Sequence, residues 1–315
     1  MSRLTKELDR YLAIRRSLGF ALGTSERVLR RFVAFAVARR AHHVTSDLFL
    51  AWRAEFGHAS QQTWSARLGM VRQFALWLSG VNPRTEVPPK GLIPDRYRRR
   101  RPYIYSAQQI VQIVTDASRL PSPNGIRGLT FTTLFGLIAV TGLRVSEAVS
   151  LNNEDIDWKT GILMIRRGKS DKARLIPVSK TTLARLADYA AKRDRLLGKR
   201  PKSFFVSDSG RRPDDCCARY NFAVVCQQIG LRPAQRFNRH GRGPRIHDLR
   251  HTFAARTLIN WYRTGKDPDR EMLKLSTYLG HTEPAHTYWY IEAVPELLEL
   301  AAKRADRVLS RETAQ

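Results

Sequence analysis

The sequence predicts a mainly α protein with one small antiparallel β-sheet, in two domains, and three features predict it. Apolar residues recur at helical spacing from Leu4 to Ser79. A stretch rich in proline and arginine, Val81 to Arg101, separates that region from the rest. Beyond it a single pair of β-rich runs, Ile162 to Ile165 and Arg174 to Val178, interrupts further helical patterning. A chain of 315 residues has room for two cores, since a typical domain takes roughly 100 to 200 residues. The domains fall at 1–82 and 105–315, with a basic linker over 83–104.

In the first domain Leu4, Leu8, Tyr11 and Leu12, then Val28, Phe32 and Phe35, then Trp64, Leu68, Val71, Phe74 and Leu78 mark buried helix faces, and four helices are expected. Thr24 and Ser60 suit N-caps, and Gly23 and Gly80 suit stops. The linker carries Pro83, Pro88, Pro89 and Pro94, then Arg96, Arg98, Arg99, Arg100 and Arg101. Proline keeps such a tether extended, so it can wrap a polyanion while two domains grip it. In the second domain Ser106 caps a helix over 107–117, and apolar helix follows over 129–141 and again from Val145. The two β-rich runs make a hairpin whose tip, Gly168 to Asp171, carries Lys169. Helices resume over 179–197 and 214–229, a Gly- and Arg-rich loop spans 230–245, and the remainder from His247 is helical, ending in an amphipathic segment from Val294 to Leu309.

Lys plus Arg number 55 against 28 Asp plus Glu, a formal charge of +27. With 43% hydrophobic and 9% aromatic residues there is enough apolar matter for folded cores, so the charge belongs to a surface, and a polyanion is the expected partner, nucleic acid first and an anionic membrane as its rival. The solvated-face reading competes for Arg15, Arg16, Arg27, Arg30, Arg31, Arg39 and Arg40 of the first domain. No apolar run of about 18 residues and no secretion signal occurs, so a cytoplasmic, nucleoid-associated protein without a membrane partner is expected. Cys216, Cys217 and Cys226 fit no metal-ligand spacing and read as core thiols.

Three strings carry chemistry: TGLRVSEAVSL from Thr141, HDLRHTFA from His247 and LGHTEPAHTYWYIE from Leu279. His247 and Arg250, three apart on a helix, put two donors on one face, where an anion between them relieves their repulsion. Arg144 follows a Thr-Gly break at a helix start, where the dipole also favours an anion. Pairing of Arg144 with Glu147 at i, i+3 is the plain alternative. His247 and His251 also present the two histidines of an H-x-x-x-H zinc helix, which makes a zinc hydrolase a rival. Asp248 is a carbon shorter than the glutamate that chemistry needs, and Arg250 brings a cation toward the metal.

These strings, in this order, resemble the tyrosine recombinase (phage-integrase-like) family over nearly the whole chain. The resemblance implies an N-terminal helical core-binding domain and a C-terminal catalytic domain. It assigns Arg144 to the T-G-L-R-x-S-E arginine, Lys169 in GKSDKARLIP to the hairpin lysine, and His247 and Arg250 to the H-x-x-R pair. His281 falls on the L-G-H histidine, and Tyr290, nine residues on, on the nucleophile. Tyr288 and Lys172 are the nearby competitors, with Lys172 read as a second phosphate contact.

The resemblance implies a site-specific recombinase of integrase or transposase type that needs neither metal nor ATP. Arg144 and Arg250 fork onto the scissile phosphate, a geometry lysine cannot reproduce, and losing either is expected to slow the reaction by on the order of a hundredfold or more. Tyr290 forms a 3′-phosphotyrosine, His247 is the expected base for its phenol, Lys169 protonates the leaving oxygen, and His281 supports the phosphate. Strand exchange implies a tetramer of the chain on DNA, docked through the C-terminal helix, with partner recombinases a further expectation. A catalytically silent DNA-binding protein is the other rival.

Overall fold

A computed structural model gives the fold and describes residues 2–56, 58–94, 101–166, 173–233, 243–281 and 283–312, the side chains of 293 and 307–312 apart. The chain divides into two compact units, Met1–Arg99 and Arg100–Gln315.

The first unit holds α1 (Arg3–Ser17), α2 (Gly23–Ala38), α3 (Ser46–Glu55) and α4 (Gln61–Ser79). Ser2, Thr45 and Ser60 start three of them by accepting a hydrogen bond from the backbone N–H three residues on, an arrangement worth about 1 kcal/mol each. Thr24 does not cap: α2 begins at Gly23, behind a left-handed Leu22, so Gly23 opens the helix instead of stopping one. Leu4, Leu8, Phe32, Phe49, Trp52, Trp64 and Phe74 fill the core. Trp52 and Trp64 meet edge to face at 5.2 Å.

The stretch expected as a linker over 83–104 is in large part packed. Ile93 is buried in the first core with Val87 and Leu92 against it, and the Glu86 N–H donates to the Val44 carbonyl at 2.8 Å. Tyr103 and Ile104 pack against cores of the second unit. Apolar residues set among prolines let an extended segment dock without regular structure. Arg96, Arg98, Arg99 and Arg100 lie outside the described residues, and Arg101 is exposed.

The second unit runs α5 (Ala107–Ala117), α6 (Ile126–Thr141), α7 (Val145–Ser150), β1 (Ile156–Asp157), β2 (Ile162–Ile165), β3 (Arg174–Pro177), α8 (Lys180–Leu197), α9 (Asp215–Gln228), α10 (Ile246–Arg263), α11 (Pro268–Leu279), α12 (Ala285–Ala293) and α13 (Pro295–Glu312). Ser106 caps α5 as expected, in a reciprocal box with Gln109. The antiparallel sheet has order β1-β2-β3, with Leu163 opposite Ile176 and the buried face carried by Leu163, Ile165 and Ile176. Lys169 and Lys172 lie outside the described residues. One core gathers Phe131, Phe135, Leu163, Tyr189, Phe204 and Phe222 among others; a second joins α10, α11, α12 and α13 through Leu258, Met272, Leu279, Tyr290 and Leu297.

Leu297 of α13, on the helix expected to dock on a neighbour, is fully covered within its own unit, and Arg304 pairs with Asp267 at 2.7 Å. Leu298 on the same helix is exposed. Of the three cysteines only Cys226 is a core thiol; Cys216 is exposed and Cys217 half-buried. Among the described residues no helix is long and apolar enough to cross a membrane.

Candidate active site

The first guanidinium is placed by the break between α6 and α7. Gly142 ends α6 in the left-handed region at φ +64°, and a Cβ there would lie 2.6 Å from the Phe253 ring, so the turn needs glycine. The chain re-enters helix with Arg144 as N-cap of α7, and Glu147 receives the Arg144 backbone N–H at 2.9 Å and its Nη1 at 2.7 Å. Arg174 of β3 donates to the same carboxylate through Nη1 at 3.0 Å and Nη2 at 2.7 Å. The Glu147 side chain is 1% exposed. Burial pushes its pKa up, but Arg174 and Arg144 outweigh this and hold the carboxyl below its ordinary value. The i, i+3 pair offered by the sequence as the alternative role of Arg144 does form. It leaves Nη2 free of that carboxylate, and Nη2 donates to the Gly280 carbonyl at 2.6 Å.

The second guanidinium rises from the second turn of α10, a helix that Arg245 and Asp248 cap as Arg144 and Glu147 cap α7. Arg250 is 1% exposed and donates through Nη1 to the Gly142 carbonyl at 2.8 Å and through Nη2 to the Leu279 carbonyl at 2.6 Å. Arg144 and Arg250 therefore converge on consecutive carbonyls at the C-terminal end of α11, where the helix dipole is negative. Burial, then the Arg144 charge, bring Arg250 down to about 10, so it stays charged at neutral pH. Gly280 closes α11 at φ +66°, and a Cβ there would stand 2.8 Å from Arg174 Nη1 and 3.3 Å from Arg144 Nη1.

His281 follows at once, with Nδ1 2.7 Å from the Oγ1 of buried Thr287, and its ring stacks on Tyr290 at 6.5 Å. Tyr290 on α12 is 1% exposed, whereas Tyr288 is 42% exposed. The Tyr290 hydroxyl is 2.8 Å from Nδ1 of His251, a ring that is itself buried and stands edge-on to His247 at 4.6 Å. His247 keeps a solvent-exposed edge. Its imidazole is pushed down to about 4, first by desolvation and then by Arg250, Arg245, Arg144 and Arg219. The exposed edge tempers the first cause. The four guanidiniums act in the same direction regardless, and the ring is neutral at neutral pH.

Five of the residues singled out in the sequence, Arg144, His247, Arg250, His281 and Tyr290, thus meet in one place. Two that meet them there were not assigned this role. Arg174 reads in sequence as an ordinary strand residue, and its R-L-I-P context was the only signal. His251 reads as a zinc ligand beside His247; its Nδ1 instead contacts the Tyr290 hydroxyl, because a residue four beyond His247 lies one turn on and faces α12. Among the described residues no three metal-binding side chains gather. In the first unit Arg27, Arg31 and Arg67 line a cleft of about 440 Å³ floored by Trp52 and Phe56. Arg16, Arg30 and Arg39 of the same helical region are instead tied to Glu26, Asp9 and Glu55.

A family model described as the phage integrase family matches residues 104–296. The integrase/recombinase y4rB of Sinorhizobium fredii (strain NBRC 101917 / NGR234) is 40% identical over 312 residues, 98% of each chain. The tyrosine recombinase XerC of Syntrophus aciditrophicus (strain SB) is 24% identical over 311 residues, 92% of this chain and 93% of that one. Among solved structures, a lambda integrase tetramer bound to a Holliday junction shares the fold with a TM-score of 0.60 at 17% identity, over 91% of this chain and 76% of that one.

Proposed function

Because the chain belongs to the phage integrase family of tyrosine recombinases and is a site-specific DNA recombinase, we propose that it cuts and rejoins DNA strands through a 3′-phosphotyrosine formed on Tyr290. The observation that carries this reading is the convergence of Arg144 and Arg250 on the Gly280 and Leu279 carbonyls, next to His281, whose ring stacks on the Tyr290 phenol. Two guanidiniums held this way offer fork geometry to the non-bridging oxygens, the charge that phosphoryl transfer otherwise draws from a metal. The covalent link keeps the energy of the phosphodiester, so rejoining needs no ATP. Lys169 protonates the leaving 5′-oxygen, and His247 and His281 hold the phosphate.

The arginines Arg96, Arg98, Arg99, Arg100 and Arg101, with Lys172, bind DNA phosphates, and the cleft at Arg27, Arg31 and Arg67 adds a contact from the helical core-binding domain. Exchange between two duplexes needs four active sites, so the working species is a tetramer on double-stranded DNA. The lambda integrase tetramer of the same fold supports that reading. Leu297 holds α13 to its own unit, so the face that docks on a neighbour is the one that carries the exposed Leu298. The protein works in the cytoplasm on the nucleoid, in integration or transposition of a mobile element.

Nicked duplexes tiled across the DNA that flanks the coding sequence, incubated with purified protein, test the proposal by trapping a covalent adduct. Tyr290→Phe is expected to bind these duplexes as the wild type does and to form no adduct. An undiminished adduct moves the nucleophile elsewhere; binding without any adduct from the wild type favours a silent DNA-binding protein.

A further inference from the structure

Resting on that reading, we propose that His251, and not His247, accepts the proton of Tyr290 as the phenol attacks. The Tyr290 hydroxyl lies 2.8 Å from His251 Nδ1, inside the range in which a general base takes a proton directly, and both side chains are buried. The contact joins two helices of one packed core: His251 sits one turn beyond His247 on α10, and Tyr290 faces it from α12. Around the pair stand His247 and Arg250 of α10, Trp289 of α12 and His281, whose ring stacks on the phenol. For Nδ1 to accept, the neutral ring carries its hydrogen on Nε2.

His247 is less suited to the same task. Its ring contacts His251, and desolvation, then the guanidiniums of Arg250, Arg245, Arg144 and Arg219, make it a weak base. The same charges suit it to a phosphate oxygen. The step balances without a further reactant. As Tyr290 Oη bonds to phosphorus its proton passes to Nδ1, the P–O5′ bond breaks, and the 5′-oxygen takes a proton from Lys169. Rejoining runs in reverse: an incoming 5′-hydroxyl attacks as its proton passes to the neutral Lys169 amine, the phosphorus–phenol bond breaks, and the imidazolium returns its proton to the phenolate.

The test uses the full chain, the same tiled nicked duplexes, and His251→Asn and His251→Ala. Asparagine keeps an acceptor close to the Nδ1 position but cannot hold a proton. Both variants are expected to bind DNA normally and to form adduct on the order of a hundredfold or more slower. The rise of the wild-type rate through the imidazole titration range should be missing from the asparagine variant. A substrate with sulfur in place of the bridging 5′-oxygen needs no acid, so it should rescue Lys169→Ala and leave both His251 variants slow. Asparagine at the wild-type rate with an unchanged pH profile, or rescue by sulfur, overturns the proposal. Thermal unfolding accompanies each variant; should alanine lose the fold, asparagine carries the comparison. No adduct from the wild type itself overturns the phosphotyrosine chemistry and this inference with it, whereas normal wild-type cleavage with unaffected His251 variants overturns this inference alone.

Discussion

Glu147→Gln removes the one carboxylate that, among the described residues, bonds both Arg144 and Arg174, and its effect follows from four hydrogen bonds. Glu147 receives the Arg144 backbone N–H, Arg144 Nη1, and both Nη atoms of Arg174, with 1% of its own side chain exposed. Glutamine keeps the shape and one acceptor, but it turns an NH₂ toward a guanidinium and leaves the positive charges of Arg144, Arg174 and Arg250 without their counter-charge. Breaking a buried ion pair from one side costs about 3–5 kcal/mol. The bonds of Arg174 to the Tyr278 carbonyl and of Arg144 to the Gly280 carbonyl survive, which argues for the lower end. In a unit of this size each kcal/mol moves Tm by roughly 2–4 °C, so the expected drop is about 6–12 °C at the lower end. The pH dependence fixes the cause. The folded pKa of Glu147 lies below the ordinary 4.5, so its stabilisation is complete above that pH and disappears as pH falls through the folded value. Calorimetric melts of wild type and variant should differ most at neutral pH and converge on acidification below about 4.5. A neutral-pH shift under about 2 °C, or a gap that persists unchanged in acid, refutes the reasoning.

Gly280→Ala forces a side chain into the left-handed region at φ +66° and against Arg174 Nη1, so it should lower stability by about 1–2 kcal/mol and slow cleavage as both guanidiniums shift; a wild-type melt and rate would show that the turn tolerates a Cβ. His247, held down to about 4 in the free protein, should rise when a phosphodiester enters among the guanidiniums, so specific DNA binding takes up protons and tightens as pH is lowered toward 5.5. Titration calorimetry in two buffers of different ionisation enthalpy reads that uptake directly, and a zero difference removes His247 from the phosphate.

Helical periodicity made the helices legible, because each buries one face against the others and the apolar spacing records that face. Short or docked pieces left weaker marks. Strand β1 is two residues long, too short to alternate, and the docked segment around Ile93 hides among prolines that read as a tether. The site was legible where chemistry restricts residue type: a fork-shaped cation, a phenol, an imidazole beside it. What could not be read was who touches whom. The contact of His251 with Tyr290 depends on α12 lying against α10, thirty-nine positions apart in sequence, and the role of Arg174 depends on β3 reaching the end of α11. Neither fact has a local signature.

The charge of this cluster explains why it is held by backbone as much as by side chains. Three guanidiniums set against Glu147 leave two positive charges in a partly buried site, and before any anion arrives the carbonyls of Gly142, Tyr278, Leu279 and Gly280 are what hold them together. A phosphodiester brings one negative charge and leaves the cluster short of balance. On the proposed phosphotyrosine chemistry the five-coordinate centre carries two once the phenol has bonded to phosphorus, against the two left by the guanidiniums and Glu147 and the one that the transferred proton adds on His251. The attraction is therefore greater for the species at the top of the barrier than for bound substrate, the condition for a charge to accelerate a reaction instead of only tightening binding. Because backbone carbonyls already hold the guanidiniums before substrate arrives, this gain requires little reorganisation at the moment of reaction.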